Sequence, residues 1–184
     1  MPDYRRWYVP GGTYFFTIVT HGRRPILCDE IARNCLHQAI EKVRTNRPFE
    51  LVAIVLLPDH LHTVWTLPPG NADYPIRIKR IKEEFTLAYL ASGGMELPPS
   101  GSRSRQGERG IWQRRYWEHS VRDEEDLKRC VDYVHWNPKK HGFAASVRDW
   151  PWSSFHRYVD LGEYEINWGS EDPTPGYDEP EWGE

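Results

Sequence analysis

The 184 residues predict an α+β fold: a split βαβ sheet of ferredoxin-like (RRM-like) type with one helix added at its C-terminal end. Three observations carry this. Stretches rich in β-branched and aromatic residues alternate with stretches whose apolar residues recur at helical spacing. The order of the elements is β-α-β-β-α-β-α. The two middle strands are separated by so short a break that they read as a hairpin.

Thr13–Thr20, TYFFTIVT, follows Gly11-Gly12 and reads as the first strand. Asp29 stands at the N-cap of a helix in which Ile31, Cys35, Leu36, Ala39, Ile40 and Val43 share a face, and Asn46-Arg47-Pro48 ends it. Phe49–Leu57 is a buried strand, Pro58-Asp59 breaks it, and Leu61–Leu67 returns. A second helix over Ile76–Leu90 turns Ile78, Ile81, Phe85, Leu87 and Ala88 inward and Arg77, Lys79, Arg80 and Lys82 mainly outward. Ser92–Gly110 is rich in Gly, Ser, Pro and Arg and reads as a mobile basic loop. Gly110–Val121 is the last strand. Asp123 caps the added helix, whose first turn carries Glu124, Glu125 and Asp126, and which is expected to stop at Pro138.

Residues 1–159 thus form one domain, and 160–184 an acidic tail with nine Asp or Glu and no Lys or Arg. The whole chain carries −3, so the body carries +6, a division that suits nucleic-acid binding. Aromatic content of 14% suits a core and suits base stacking equally. Neither a membrane span nor a signal peptide is legible. The three cysteines, Cys28, Cys35 and Cys130, lack CxxC spacing, which argues against a disulfide framework or zinc knuckle and points to a reducing cytoplasm.

His60 and His62 flank Leu61. On a strand, residues two apart share a face, so both imidazoles project together while Leu61 enters the core, a ready platform for a metal ion. Tyr133 and Asn137 stand four apart on the last helix and share a face one turn apart. Each residue also has an ordinary reading: the histidines as chance neighbours near a turn, Tyr133 as a packed aromatic, Asn137 as a helix cap. Together they offer a nucleophile and an oxygen ligand opposite two nitrogen ligands. Two imidazoles, an amide oxygen and phosphate oxygens suit Mg²⁺ or Mn²⁺, with nitrogen favouring the latter. Glu118, His119 and His135 are candidate general bases, each with a structural role as the commoner alternative.

Gly11-Gly12-Thr13-Tyr14-Phe15-Phe16-Thr17, Leu57-Pro58-Asp59-His60-Leu61-His62, Tyr116-Trp117-Glu118-His119, Asp132-Tyr133-Val134-His135-Trp136-Asn137-Pro138 and Trp152-Ser153-Ser154-Phe155 together resemble the REP-associated tyrosine transposases. These are domesticated relatives of the single-tyrosine HUH transposases of small insertion sequences. The resemblance runs from about residue 4 to about residue 168 in matching order; the Ser92–Gly110 stretch departs from it in length. It implies a transposase that binds extragenic palindromic hairpins and cleaves and rejoins single-stranded DNA through a 5′-phosphotyrosine. It further implies Tyr133 as nucleophile and His60, His62 and Asn137 as metal ligands.

For DNA contact the candidates are Arg5, Arg6 and Trp7 near the N-terminus, the helical Arg77, Lys79, Arg80 and Lys82, the loop residues Arg103, Arg105 and Arg109, and Arg114-Arg115. Single-stranded DNA and DNA hairpins are the expected partners of a monomer or homodimer, with no membrane involved and a nucleoid-associated cytoplasmic location. Three other readings compete: a non-catalytic hairpin-binding module, an HUH replication or relaxase nickase, and a metal nuclease that uses water. The acidic tail reads first as a free, solvated terminus; the alternative is that it competes with DNA for the basic body, with Tyr164, Ile166 and Trp168 spaced for an extended segment to dock.

Overall fold

In the computed structural model, which describes residues 8–98, 101, 105 and 109–170, four strands form one sheet. They are β1 (Thr13–Val19), β2 (Glu50–Leu56), β3 (His60–Thr66) and β4 (Trp117–Ser120), in the order β2-β3-β1-β4. Every neighbouring pair is antiparallel. With α1 (Glu30–Asn46), α2 (Tyr74–Ala91) and α3 (Glu124–Lys140), the element order is the expected β-α-β-β-α-β-α.

Strand alternation divides the core in two. On one face Tyr14, Phe16 and Ile18 of β1 and Leu61 and Trp65 of β3 meet the apolar stripes of α1 and α2. On the other, Phe15 of β1 and Val64 of β3 meet Cys130, Val131, Tyr133 and Val134 of α3. Leu61 therefore enters the α1/α2 core, as alternation required, and its two histidine neighbours face α3.

Helix α3 begins as expected: the Asp123 carboxylate accepts from the Asp126 backbone N–H at 2.8 Å, a cap worth about 1 kcal/mol. Asp29 holds extended N-cap backbone at α1 without a side-chain cap bond. Among the described residues no helix is long and apolar enough to cross a membrane.

Several boundaries differ from expectation. Helix α3 runs through Pro138 to Lys140. A proline this close to a C-terminus removes one bond in the last turn, while its own carbonyl accepts the Phe143 N–H at 2.9 Å. The last strand covers only 117–120; the preceding residues make an isolated bridge, Trp112 to Thr20, that seats Ile111 and Trp112 in the core. The strand β3 starts at His60 itself, so both histidines lie within the ladder.

A short helix, α4 (Phe155–Asp160), was not anticipated, and it explains the Trp-Ser-Ser-Phe motif. Trp152–Ser154 pair with the exposed edge of β2 through Leu56 N–H to Trp152 O and Ser154 N–H to Ile54 O. Arg157 and Tyr158 of α4 then donate to the carbonyl of Val52, where the β2–β3 register shifts between Leu51 and Ala53. An open strand edge invites foreign pairing, and this segment covers it. Packing continues beyond residue 159: Tyr164 stacks on Trp168 with ring centroids 4.5 Å apart, while Ile166 is exposed. The segment is a series of turns, so the two rings meet at i and i+4; the extended docking expected for 164–168 is corrected.

Candidate functional site

His60 and His62 sit on β3, a central strand, and are 3% and 0% exposed. Their rings lie 4.8 Å apart at 84°. Each is held through Nδ1. The Asp59 carboxylate is 2.7 Å from His60 Nδ1, and Thr17, the register partner of His62 on β1, places Oγ1 3.0 Å from His62 Nδ1. An ionised carboxylate can only accept, so Nδ1 of His60 carries the hydrogen and Nε2 keeps its lone pair. Burial pushes the His60 imidazole below its ordinary pKa although Asp59 opposes this; burial pushes His62 well below, with His60, His141 and Lys140 adding to the effect. Both are thereby held in the neutral form that binds metal.

The helix α3 crosses above them. The Tyr133 ring is 5.3 Å from that of His62 and edge-on to Phe15 at 5.8 Å. One turn beyond Asn137, at the end of the helix, the His141 ring is 5.8 Å from that of His60. Tyr133 against His62 and His141 against His60 thus bracket Asn137, which lies between them on the same helix face and is fully buried. Lys140 completes the group, its ammonium 5.1 Å over the Tyr133 ring and 3.4 Å from the phenol oxygen.

Several of the buried polar atoms without a partner gather here. His60 Nε2, His62 Nε2 and both amide atoms of Asn137 are buried with no hydrogen-bond partner among the described residues. Each such atom costs about 1–3 kcal/mol unless something binds it. Two imidazole lone pairs and an amide oxygen are a donor set for a divalent cation, so these residues fit the expected metal.

A second cluster, His119, Asp126 and Cys130, keeps its ligand atoms within 4.8 Å of one another. Its carboxylate is already spent. Asp126 Oδ2 accepts from His119 Nε2 at 2.9 Å, from the Arg122 backbone at 3.0 Å and from Arg122 Nε at 3.0 Å. The Nε2 atom of His119 is thereby committed to Asp126. Glu118 faces the α2 side, within 3.4 Å of the Tyr74 hydroxyl, and His135 Nε2 is 2.8 Å from Ser154 Oγ.

The expected DNA contacts separate. Arg77 is a correction: it is 2% exposed, and its guanidinium donates to Arg47 O, Pro48 O, Asn71 Oδ1 and Asp73 O, clamping the end of α1 to the start of α2. Lys82 is half-buried, donating to Gln113 O at 2.9 Å. Lys79 and Arg80 are exposed, each paired with Glu83, on the sheet face opposite the histidines. Arg114 and Arg115 are exposed just ahead of β4. Arg109 grips Glu96 and Arg105 donates to Gly101 O. Arg5, Arg6, Trp7 and Arg103 lie outside the described residues. The sequence reading missed Asp59, Thr17, Lys140 and His141; the spacing Tyr133, Asn137, His141 was the available signal for the last.

A four-stranded antiparallel sheet thus presents a His-Leu-His pair to a helix carrying Tyr133 and Asn137. Residues 8–137 match the IS200-like transposases. A REP-associated tyrosine transposase of Escherichia coli K12 is 42% identical over 171 residues, covering 93% of each chain. A Haemophilus influenzae protein is 43% identical over 175 residues, covering 92% of this chain and 94% of the other. Among solved structures, a REP-associated tyrosine transposase bound to a REP hairpin aligns with a TM-score of 0.75 at 40% identity, over 95% of this chain and 96% of that one. The chain belongs to the IS200-like transposase family and, within it, to the REP-associated tyrosine transposases.

Proposed function

We propose that the protein nicks and rejoins single-stranded DNA beside palindromic hairpins, with Tyr133 as nucleophile and a divalent cation, Mn²⁺ or Mg²⁺, held by His60, His62 and Asn137. The observation that carries this is the convergence of three buried, unpartnered ligand groups beside a tyrosine. A relative described as bound to a REP hairpin supports an extragenic palindrome as partner.

When bound, the cation supplies Lewis acidity toward a phosphate oxygen. Asp59 and Thr17 hold the imidazoles so that both Nε2 atoms are free to bind it. The Tyr133 oxygen forms a bond to the scissile phosphorus, the bond from phosphorus to the 3′ oxygen breaks, and that oxygen leaves as a 3′-OH with a proton taken up from solvent as the phenol loses its own. Lys140 places positive charge beside the phenol oxygen, where negative charge develops. The phosphotyrosine conserves a phosphodiester's energy, so attack by a second 3′-OH regenerates Tyr133 and joins the strand without ATP. The edge of β2 is covered and α2 faces away, so cations near the site, the half-buried Lys140 among them, are the better candidates for the backbone than the α2 stripe.

The test is denaturing electrophoresis after incubation with a labelled hairpin that bears single-stranded extensions, in Mn²⁺. A covalent protein–DNA band is the expected result. Retained hairpin binding with no band under any metal would leave a non-catalytic hairpin-binding module.

A further inference from the structure

We propose that Phe143 is a stacking platform for one unpaired nucleobase at the mouth of this site. The inference rests on the single-strand reading above. Among the described residues, the Phe, Tyr and Trp side chains classed as exposed are Tyr8, at 54%, and Phe143, at 44%. Tyr8 stacks on Tyr74 on the α1/α2 side of the sheet. Phe143 lies on the α3 side, two rings from the candidate metal ligands: its ring is 6.0 Å from that of His141, which is 5.8 Å from that of His60.

The ring is presented by a rigid turn. His141 N–H donates to Asn137 O, Gly142 N–H to Lys139 O and Phe143 N–H to Pro138 O, and Gly142 takes a φ of 71°. This is a helix C-terminal closure that needs glycine, and it ties Phe143 to the same turn that carries Asn137. Trp150 backs the ring at 5.8 Å with an interplanar angle of 33°, leaving the remainder open. A phenylalanine left exposed forfeits the burial that its ring would otherwise gain. Here the ring is pre-positioned just beyond the helix end that carries Lys140, whose ammonium lies at the Tyr133 oxygen. A pre-positioned ring next to cations is how proteins hold unpaired bases, since every base has a face to stack.

The experiment uses the full chain with Tyr133→Phe to prevent cleavage, alone and combined with Phe143→Leu or Phe143→Tyr. Each is titrated with a blunt hairpin and with hairpins carrying single-stranded extensions in which 2-aminopurine replaces each unpaired base in turn. The expected result is a fluorescence change at one extension position, lost in Phe143→Leu and kept in Phe143→Tyr. Affinity for the extended hairpin should fall roughly tenfold in Phe143→Leu, with blunt-hairpin affinity unchanged. If the parent prefers the extended hairpin and Phe143→Leu does so equally, the stacking proposal is overturned while the single-strand reading stands. If the parent binds blunt and extended hairpins alike, the single-strand reading fails and the stacking proposal falls with it. An equal loss for both hairpins, or a loss in Phe143→Tyr as well, assigns Phe143 to packing and also overturns it.

Discussion

Two groups of ligand-type side chains lie along α3, and they differ in what their polar atoms touch. At the N-terminal end, His119, Asp126 and Cys130 gather within 4.8 Å, the tighter-looking metal cluster by residue type. Its carboxylate is saturated by Arg122 and His119. At the C-terminal end, His60, His62 and Asn137 include no carboxylate or thiolate, yet their buried ligand atoms are unpartnered. A protein can bury a polar atom cheaply only by bonding it. The first group has therefore met its needs within the chain, as a brace between β4 and the start of α3. The second leaves its needs unmet among the described residues. The two groups thus differ in the satisfaction of their donors and acceptors more than in the kinds of residue present.

The sharpest way to break the comparison is at the nucleophile. Tyr133→Phe removes one oxygen and keeps the ring that packs on Phe15 and His62. It should abolish the covalent adduct, a loss of at least about a thousandfold in cleavage, while hairpin affinity stays within about twofold. A covalent band persisting in this variant would take Tyr133 out of the role.

Next come the ligands. His60→Ala and His62→Ala should each remove Mn²⁺ binding, read by electron paramagnetic resonance of the free ion, and prevent cleavage; EDTA should do the same to the unaltered protein. Asn137→Ala should weaken binding without ending it, since water can replace one oxygen ligand. Asp59→Asn should cost about 10–100-fold in affinity because it loosens His60 without touching the ion. Cleavage unimpaired in EDTA would defeat the metal reading at once.

At the other cluster the same experiments should give the opposite pattern. Asp126→Asn should leave Mn²⁺ binding unchanged and cost roughly 1–3 kcal/mol of stability, seen as a lower melting temperature. Burial alone would raise the Asp126 pKa, but the hydrogen bonds from Arg122 and His119 hold it well below the ordinary carboxylate range. A depressed folded pKa stabilises the fold above the unfolded value of about 4, and that stabilisation is lost as pH falls toward the folded value. The acid limb of the stability curve should accordingly be shallower in Asp126→Asn. Metal uptake lost in this variant would invert the comparison.

Much of this was legible before any coordinate. Period-two alternation alone puts His60 and His62 on one face and Leu61 on the other, and the i, i+4 rule pairs Tyr133 with Asn137. What escaped has physical reasons. Arg77 fits the polar stripe of an amphipathic helix, but the carbonyls of Arg47 and Pro48, left over where α1 ends, draw it inward, and helical periodicity carries no information about loop carbonyls. Pro138 reads as a stop because its cost in the last turn is small and its carbonyl's acceptance of Phe143 is invisible in sequence. Asp59 sits beside His60 in sequence, yet only the turn geometry shows its carboxylate on Nδ1 rather than in solvent. Thr17 required the strand register.

The smallest expected effect concerns the acidic tail. Described packing ends at Ser170, where Lys139 Nζ donates to the carbonyls of Gly169 and Ser170 at 2.8 and 2.9 Å. Residues 171–184 lie outside the described residues and hold six acidic residues with no Lys or Arg. Lys139 neighbours Lys140, which sits on Tyr133, so Ser170, after which the acidic run follows in sequence, is held near the site proposed to accept a phosphate backbone. Charges that compete for the same cations weaken one another's binding, and salt erases the competition over a Debye length of about 10 Å at 0.1 M. Deleting 171–184, which spares the Ser170 contact, should raise affinity for hairpin and single-stranded DNA severalfold at low salt and by less as salt increases. Affinities measured for both chains across a salt series decide it: two coincident curves would make the tail a bystander, and a gap that widened with salt would show that it acts by something other than charge.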